Sequence, residues 1–359
     1  MKLDHAEAMR RAFALAWRGW GRVGANPLVG AVVVKDGRSV AEGWHAAFGG
    51  PHAEAQALEA AGREARGATL VVTLEPCRHH GKTPPCVGAI VAAGVERVVY
   101  GAPDVDPEAS GGAEALLAAG VAVEGDVFGD EVRAQNAVFF HRHEGSGRPF
   151  VAVKLAMSLD GRIADARGRS RWISGEEAQA WVHWLRAGFD AIGVGLGTVR
   201  ADDPRLTVRG AVTPLAAPLR VVFDGRAELP TQSVLRRTAA ETPTLVLVGP
   251  KAPAASVRAL RAAGVHVDTA ADLVGAMKVL GRRGVTSLLV EGGGSLAGRL
   301  VAAGLVDRLY LITSPLVLGA DAVPAFGALA GAELEDTDRW RVVGRSTLGA
   351  DALTVLDRP

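Results

Sequence analysis

The chain has 359 residues, more than a single hydrophobic core usually organises, and we therefore expect two domains. Its residues are 48% hydrophobic and 22% charged, as in an ordinary soluble globular protein. The net charge of +1 lacks the basic excess of a dedicated nucleic-acid binder. No apolar run reaches the ~18–20 residues that span a bilayer, and charged residues interrupt any N-terminal signal peptide. We expect a cytoplasmic protein that binds neither nucleic acid nor a membrane.

Short β-branched runs alternate with Ala-rich stretches along the chain, which is typical of an α/β fold. A predicted N-terminal helix has one apolar face, formed by Met9, Phe13, Ala16, Trp17 and Trp20. The other elements predicted in the first half are strands at 30–34, 68–74 and 97–101 and helices at 51–61 and 84–93. A polar, Gly-rich segment at 143–149 then predicts a boundary between one domain at 1–146 and another at 147–359.

The second half continues the alternation of helices and strands. Ser174 to Glu177 have the form of a capping box, which predicts a helix that reaches about residue 187. Strands are predicted at 191–195, 219–224, 244–249, 287–290 and 308–313. Near the C-terminus, two apolar runs on either side of residues 349–351 predict a closing antiparallel pair, at 340–343 and 352–356.

The chain contains two cysteines, Cys77 and Cys86, and both lie in a segment rich in Pro, His and Gly. Together with His52 they offer two thiolates and an imidazole, ligand types suited to tetrahedral zinc. Prolines precede Cys86 and favour a position in the first turn of a helix, whose partial positive charge helps to hold the thiolate. Three protein ligands leave a fourth position for water, as in catalytic zinc sites, where the metal lowers the pKa of that water to about 7.

Glu54 lies two residues after His52 and is better placed beside the water than on the metal. In zinc nucleobase deaminases the glutamate of an H-x-E motif is the general acid and base. Those enzymes carry P-C-x-x-C, whereas eight residues separate Cys77 from Cys86 here. The combined pattern therefore favours a deaminase with a variant cysteine spacing.

Segments on both sides of the expected boundary resemble the bifunctional deaminase–reductase family of riboflavin biosynthesis. The most specific is 75–86, Glu-Pro-Cys-Arg-His-His-Gly-Lys-Thr-Pro-Pro-Cys. The likeness extends to 26–30, 43–54, 154–162, 197–204 and 291–294, so that it covers nearly the whole chain. It implies a cytidine-deaminase-like N-terminal domain and a dihydrofolate-reductase-like C-terminal domain.

For the first domain, the resemblance implies that His52, Cys77 and Cys86 bind zinc and that Glu54 is the catalytic proton carrier. The implied reaction is the hydrolytic deamination of 2,5-diamino-6-(5-phosphoribosylamino)pyrimidin-4(3H)-one. Three further residues are expected to line its pocket: Asn26, His45 and Lys82. Lys82 either neutralises the phosphate of the substrate or is an ordinary solvated loop lysine.

In the second domain, a predicted strand at 288–290 runs into Glu291, three glycines and Ser295, and a predicted helix follows at 296–303. Such a turn presents free N–H groups to a pyrophosphate, although Gly-rich turns of this kind also occur without a ligand. The Gly-rich run at 193–197 lacks the G-x-G-x-x-G register, so it does not favour a Rossmann fold.

The resemblance implies that this domain uses NADPH to reduce the ribosyl chain of 5-amino-6-(5-phosphoribosylamino)uracil to ribityl. Positions that correspond to NADPH contacts are Ala156, Trp172, Thr198, Asp202, Gly225, Gly293, Gly294, Ser295, Leu296, Ala297, Gly298 and Arg299. Positions that correspond to substrate contacts are Ser170, Arg186, Leu206, Arg209 and Glu291. Arg186 and Arg209 suit a phosphate clamp, with an ordinary salt bridge as the alternative for each. Trp172 lies either beside the nicotinamide or in the core. Gly225 replaces a serine that some relatives have at this position. Lys154 and Glu291 are candidate proton donors for the reduction.

Other interpretations stay open at this point. His79 or His80 would close a purely structural zinc site as a fourth ligand, or the cysteines would bind no metal. A nucleic-acid deaminase with a binding module is a second class, disfavoured by the near-neutral charge. A structural zinc protein with a nucleotide-sensing domain is a third class, and it assigns no function to Glu54. For the enzyme, we expect small-molecule substrates and a homo-oligomer.

Overall fold

The computed structural model describes residues 3–79, 84–171, 173–337 and 339–358. The chain divides into two compact units, one that ends at Gly145 and one that begins at Ser146. Each unit has its own main β-sheet with helices packed on it, so the α/β class predicted from the sequence is confirmed. In the part of the chain that is described, no helix is long and apolar enough to cross a membrane.

The first unit is built on a five-stranded sheet with the order β2-β1-β3-β4-β5. Its strands are β1 (Gly30–Lys35), β2 (Arg38–Trp44), β3 (Thr69–Leu74), β4 (Arg97–Ala102) and β5 (Ala122–Glu124). β1 is antiparallel to β2 and β3, whereas β3, β4 and β5 run parallel. Its helices are α1 (His5–Ala16), α2 (Ala53–Ala61), α3 (Cys86–Ala93), α4 (Gly112–Ala118), α5 (Gly129–Gln135) and α6 (Ala137–His143).

The central strands of this sheet, β1, β3 and β4, are buried on both faces, because helices cover each side. Val32 belongs to a core cluster with Met9 of α1, whereas its neighbour Val33 belongs to a second cluster with residues of α2 and α3. This alternation follows from the two-residue period of a strand. α2 approaches β2 closely at Gly43, where a Cβ would lie 2.3 Å from the carbonyl oxygen of Ala53. The start of α2 is therefore held against the end of β2.

The second unit contains a nine-stranded sheet with the order β11-β10-β9-β8-β12-β6-β13-β16-β15. The strands of the unit are β6 (Phe150–Ser158), β7 (Arg162–Ala164), β8 (Ala191–Gly195), β9 (Leu219–Phe223), β10 (Thr244–Val248), β11 (His266–Thr269), β12 (Ser287–Glu291), β13 (Arg308–Ser314), β14 (Val323–Pro324), β15 (Arg341–Leu348) and β16 (Asp351–Asp357). The seven strands from β11 to β13 in this order are parallel, and β16 and β15 add an antiparallel edge. β7 and β14 form a separate antiparallel pair.

Helices cover both faces of this sheet as well. They are α7 (Glu176–Arg186), α8 (Leu196–Asp202), α9 (Val234–Arg237), α10 (Ala254–Ala262), α11 (Leu273–Arg282) and α12 (Gly294–Ala302). Ala191 of β8 packs in a cluster with α11 and α12, and its neighbour Ile192 packs in another cluster with α8, α9 and α10. The parallel strands therefore end in loops at one edge of a sheet whose central strands are buried.

Most of the elements predicted from the sequence are present, with ends that agree to within two residues. The predicted C-terminal pair is confirmed as β15 and β16, although β15 extends to Leu348. The prediction of a capping box at 174–177 is wrong. The N-cap of α7 is Gly175, no side chain caps the helix, and the backbone N–H of Gly175 donates instead to Asp351 at 2.8 Å. The sequence did not predict β2, β5, α4, α5 or α6 in the first unit.

Candidate active sites

The three expected zinc ligands lie together in the first unit, each at the end of a different element. His52 is the N-cap of α2, Cys77 follows β3 by three residues, and Cys86 is the first residue of α3. Nδ1 of His52 lies 3.2 Å from Sγ of Cys86 and 3.5 Å from Sγ of Cys77. The three possible ligand atoms all lie within 4.8 Å of one another.

This arrangement fits a tetrahedral zinc ion. Zn–S bonds of ~2.3 Å and Zn–N bonds of ~2.0 Å place neighbouring ligand atoms about 3.5–3.8 Å apart. The hydrogen bond between the two thiols lowers the pKa of Cys77 and raises that of Cys86, to which burial adds. One thiolate is thus available at neutral pH, and a divalent cation would favour the second. Among the described residues, the cluster does not include His79, and His80 lies outside them.

Glu54 lies in the first turn of α2 and is 4% exposed. Burial raises its pKa, and the nearby His52 opposes that increase. A carboxyl with a raised pKa can both take up and release a proton near neutral pH, which is what general acid–base catalysis requires. Its position beside the cluster of His52, Cys77 and Cys86 puts this function next to the metal-binding atoms.

A cavity of about 270 Å³, here named the first cavity, opens beside this cluster. Its polar and aromatic lining includes Asn26, His45, His52, Glu54, Glu75, Cys77, His79, Asp104, Asp106, Phe139, Arg142 and His143. Of the three pocket residues expected from the resemblance, Asn26 and His45 line it, and Lys82 lies outside the described residues.

The protonation of His45 follows from its two neighbours. Its Nδ1 lies 3.1 Å from the carbonyl oxygen of Pro51, which can only accept, so Nδ1 carries the proton. Nε2 then accepts from Nδ2 of Asn26 at 3.3 Å. Burial lowers the pKa of His45, which keeps the ring neutral. The amide oxygen of Asn26 is consequently oriented as an acceptor for a ligand.

Two buried side chains that the sequence did not single out hold the walls of the first cavity. The Glu75 carboxylate accepts the N–H of Asp104 at 3.0 Å and the N–H of Ala113 at 2.9 Å. Asn136 accepts the N–H of Leu28 at 2.7 Å and donates to its carbonyl at 3.1 Å. These contacts join segments that are distant along the chain, and no local sequence pattern predicts them.

Asp104 makes the stability of the first unit depend on pH. Burial raises the pKa of its carboxyl from 3.8 to about 6. A carboxyl whose pKa is higher in the folded state than in the unfolded state binds its proton more tightly when folded. The folded state therefore loses stability as the pH rises from about 4 to about 6, and this loss of stability is complete above that range.

We expect Asp104→Asn to stabilise the first unit by about 1–3 kcal/mol near pH 8, because one pKa unit corresponds to about 1.4 kcal/mol. Asparagine keeps the oxygen that accepts the N–H of Asp106. The difference should disappear near pH ~4, where the native carboxyl is protonated. Denaturant unfolding of the full chain, with hydrogen exchange followed in α4 and β4, measures the effect. A difference that does not vary with pH would contradict this origin.

The second unit contains another cavity, of about 710 Å³, here named the second cavity. Ten of the expected cofactor and substrate residues line it: Ala156, Ser170, Arg186, Thr198, Asp202, Leu206, Glu291, Gly293, Gly294 and Ser295. Leu296, Ala297 and Gly298 are buried in α12, and a Cβ on Gly298 would lie 2.1 Å from the carbonyl oxygen of Gly327. Leu296, Ala297, Gly298, Arg299, Gly225 and Arg209 are not among its lining residues, and Trp172 lies outside the described residues.

The Gly-rich turn has the backbone that the sequence suggested. β12 ends at Glu291, Gly292 and Gly293 have φ of 63° and 73°, and α12 begins at Gly294. Positive φ values of this kind favour glycine, since a Cβ would be strained there. The first N–H groups of α12 are thus presented at the wall of the second cavity.

Arg186 is held by a carboxylate in this structure. Its Nε and Nη2 donate to the two oxygens of Glu291 at 2.5 and 2.8 Å, and its Nη1 donates to the carbonyl of Thr207 at 3.0 Å. Both side chains of the pair are largely buried, at 13% and 11% exposure. The salt-bridge alternative is therefore realised for Arg186, in the cavity wall rather than on the surface, and two of its five N–H donors have no partner among the described residues. Arg209 is exposed and forms no ion pair among the described residues.

Comparison with known proteins indicates the family of this chain. Residues 2–102 match the model of the cytidine and deoxycytidylate deaminase zinc-binding region, and residues 149–353 match the RibD C-terminal domain. The chain is 38% identical over 353 residues to riboflavin biosynthesis protein RibD of Actinobacillus pleuropneumoniae, covering 96% of this chain and 93% of that protein. It is 41% identical over 327 residues to RibD of Escherichia coli K12, covering 88% of each.

Solved structures agree with the sequence relatives. Acinetobacter baumannii RibD, form 1, is 34% identical, with a TM-score of 0.80 and coverage of 99% of both chains. A diaminohydroxyphosphoribosylaminopyrimidine deaminase/5-amino-6-(5-phosphoribosylamino)uracil reductase from Thermotoga maritima is 35% identical, again with a TM-score of 0.80 and 99% coverage of both. Since these matches extend over both units and not over one alone, the chain belongs to the RibD family of bifunctional riboflavin-biosynthesis deaminase–reductases.

Proposed function

We propose that the chain catalyses two consecutive steps of riboflavin biosynthesis. Residues 1–146 deaminate 2,5-diamino-6-(5-phosphoribosylamino)pyrimidin-4(3H)-one, and residues 147–359 reduce the resulting 5-amino-6-(5-phosphoribosylamino)uracil. The observation that carries this proposal is the position of the buried Glu54 beside the cluster of His52, Cys77 and Cys86. The name of the Thermotoga maritima relative supports the same pair of reactions.

In the first step, water replaces the 2-amino group of the ring and ammonia leaves. His52, Cys77 and Cys86 would hold zinc, which when bound lowers the pKa of a water to about 7. Glu54 takes one proton from the attacking water and passes it to the ring nitrogen, and it then moves the second proton, from the new hydroxyl group, to the leaving amine. Asn26 orients the ring through its amide oxygen, because His45 occupies its amide nitrogen.

In the second step, NADPH supplies the hydride that opens the ribose to a ribityl chain. The N–H groups at the start of α12 would bind a phosphate of the cofactor. Ser170 and Asp202 stand at the same wall, with Oγ of Ser170 donating to Oδ1 of Asp202 at 2.9 Å. Burial lowers the pKa of Lys154, which makes this ammonium a better proton donor to the ring oxygen.

Arg186 and Glu291 act as a unit in this proposal. The carboxylate fixes the guanidinium, and the two N–H donors that remain bind an oxygen of the substrate phosphate. The exposed Arg209 supplies a second cation for the same phosphate. We place the enzyme in the cytoplasm as a homo-oligomer that acts on small molecules.

The full chain, purified with zinc, tests the proposal in two assays. Ammonia release from the diamino substrate measures the first step, and loss of NADPH absorbance on the deaminated intermediate measures the second. We expect both activities, and we expect a chelator to remove ammonia release while NADPH oxidation persists, because His52, Cys77 and Cys86 all belong to the first unit.

Two results would overturn the proposal. A zinc-loaded chain that releases no ammonia from the diamino substrate would exclude the first activity, and no NADPH oxidation on the intermediate would exclude the second. Salt-sensitive retention of polynucleotides in a filter-binding assay, together with deamination of their bases, would instead support a nucleic-acid deaminase.

A further inference from the structure

The two family models leave residues 103–148 unmatched, and this segment contains α5 and α6. α6 contributes Phe139, Arg142 and His143 to the wall of the first cavity. The general deaminase zinc-binding region, matched only as far as residue 102, therefore does not include this wall. A wall outside the catalytic cluster is a natural place for groups that select the substrate.

The position of α6 is fixed by contacts with the sheet and with Leu28. Phe139 packs in a core cluster with Leu74 and Ala102, the last residues of β3 and β4. Asn136, directly before α6, forms its two buried hydrogen bonds with Leu28, next to the pocket residue Asn26. Residues at the end of α6 are thus held in a defined place relative to Asn26, which lines the first cavity.

The charges that line the first cavity are unequal. Four acidic residues line it, Glu54, Glu75, Asp104 and Asp106, whereas Arg142 is the single Lys or Arg residue among its described lining residues. Arg142 is exposed and has no hydrogen bond or ion pair with any described residue. Neither Asp104 nor Asp106 neutralises it, so the guanidinium stays available to an anion.

His143 adds a polar group beside this cation. Its ring lies 4.9 Å from the ring of Phe139, at an angle of 58°, and is half-buried. This tilted pair of rings contributes an aromatic surface and an imidazole to the same wall as the guanidinium. Glu54, by contrast, is only 4% exposed, so the catalytic carboxyl is buried while the cation lies at the solvent-exposed rim.

We propose that Arg142, assisted by His143, recognises the phosphate of the substrate in the first cavity and makes the deaminase selective for phosphorylated ring compounds. This inference rests on the proposed function. A dianionic phosphate near four carboxylates would be repelled unless a cation compensates for it. Arginine is suited to this task, because its planar N–H groups bind phosphate oxygens in pairs. Arg142 is a specificity-determining residue and takes no part in proton transfer.

The test compares the phosphorylated diamino substrate with its dephosphorylated ribosylamino analogue, with ammonia release from the zinc-loaded full chain as the readout. We expect Arg142→Gln to reduce the ratio of the two kcat/KM values by about 10- to 100-fold, mainly through KM, since hydrogen bonds between charged groups are worth about that factor. Arg142→Lys should recover part of the ratio, because an ammonium keeps the charge without the paired geometry. Inorganic phosphate should inhibit the parent enzyme competitively and Arg142→Gln more weakly.

Arg97→Gln is the matched control, since Arg97 is exposed on β4 and does not line the first cavity. It should leave the ratio as in the parent enzyme. An Arg142→Gln variant with an unchanged ratio, or with equal losses on both compounds, would overturn the phosphate assignment. If the parent enzyme deaminates neither compound, the proposed function fails instead, and calorimetric titration of inorganic phosphate into the parent and Arg142→Gln still decides whether Arg142 binds this anion.

Discussion

Glu54→Gln should reduce ammonia release by about 10³- to 10⁴-fold, the upper part of the range for general acid–base catalysis. The amide has nearly the same shape as the carboxyl but cannot carry protons between the water, the ring nitrogen and the leaving amine. The zinc content should stay at about one ion per chain, because His52, Cys77 and Cys86 form the metal-binding cluster without it. Ammonia release and metal analysis on the same preparation measure both quantities.

NADPH oxidation provides the internal control for this variant. When the deaminated intermediate is supplied directly, Glu54→Gln should oxidise NADPH as the parent enzyme does, since Glu54 belongs to the first unit. A variant that keeps its zinc and still releases ammonia within tenfold of the parent rate would refute the assignment of Glu54. Loss of both activities in a folded variant would mean that the two reactions share one site.

Local sequence was sufficient for the elements and residues that define the metal cluster. The strand that ends before Cys77 and the helix that begins at Cys86 follow from short runs of neighbouring residues, as does the turn after Glu291. Prolines before a helix and glycines after a strand impose their backbone wherever they occur. The three possible ligand atoms then come together because the fold joins the ends of α2, β3 and α3.

Contacts between distant residues were not accessible in the same way. Asn136 binds Leu28 across 108 positions, and Arg186 binds Glu291 across 105. No local pattern placed α6 at the first cavity. The predicted capping box before α7 does not form, and Asp351, 176 positions away, accepts the N–H of Gly175 instead. At these places, long-range hydrogen bonds override the preference of the local sequence.

The ion pair of Arg186 and Glu291 offers the largest expected effect on stability. Glu291→Gln would remove the carboxylate from a buried site that also holds Arg186 and, close by, Lys154. Two cations would then remain without an anion, and breaking a buried pair in this way costs about 3–5 kcal/mol. We expect the second unit to lose about 3 kcal/mol of unfolding free energy at pH ~7, since the amide oxygen still accepts one hydrogen bond from Arg186.

Glu228→Gln is the matched control, because Glu228 pairs with Arg200 at 2.7 Å but both side chains are exposed, at 42% and 53%. An exposed pair of this kind contributes about 1 kcal/mol or less. Hydrogen exchange of β12 and α7 in the full chain should therefore accelerate strongly in Glu291→Gln and little in Glu228→Gln. NADPH oxidation should also fall in Glu291→Gln, while ammonia release from the first unit should persist.

The dependence of this effect on pH separates the charge of Glu291 from its shape. Burial alone would raise the pKa of Glu291, but the Arg186 guanidinium outweighs it and holds the pKa below its usual 4.5. A carboxyl with a lowered pKa in the folded state contributes stability above its unfolded pKa and loses it as the pH falls through the folded value. The difference between the parent and Glu291→Gln should therefore be constant from about pH 5 to 7 and shrink below about pH 4.5. If Glu291→Gln and Glu228→Gln lower the free energy of unfolding equally, the carboxylate of Glu291 is not what stabilises the wall of the second cavity. The same conclusion follows if the difference between the parent and Glu291→Gln persists in acid.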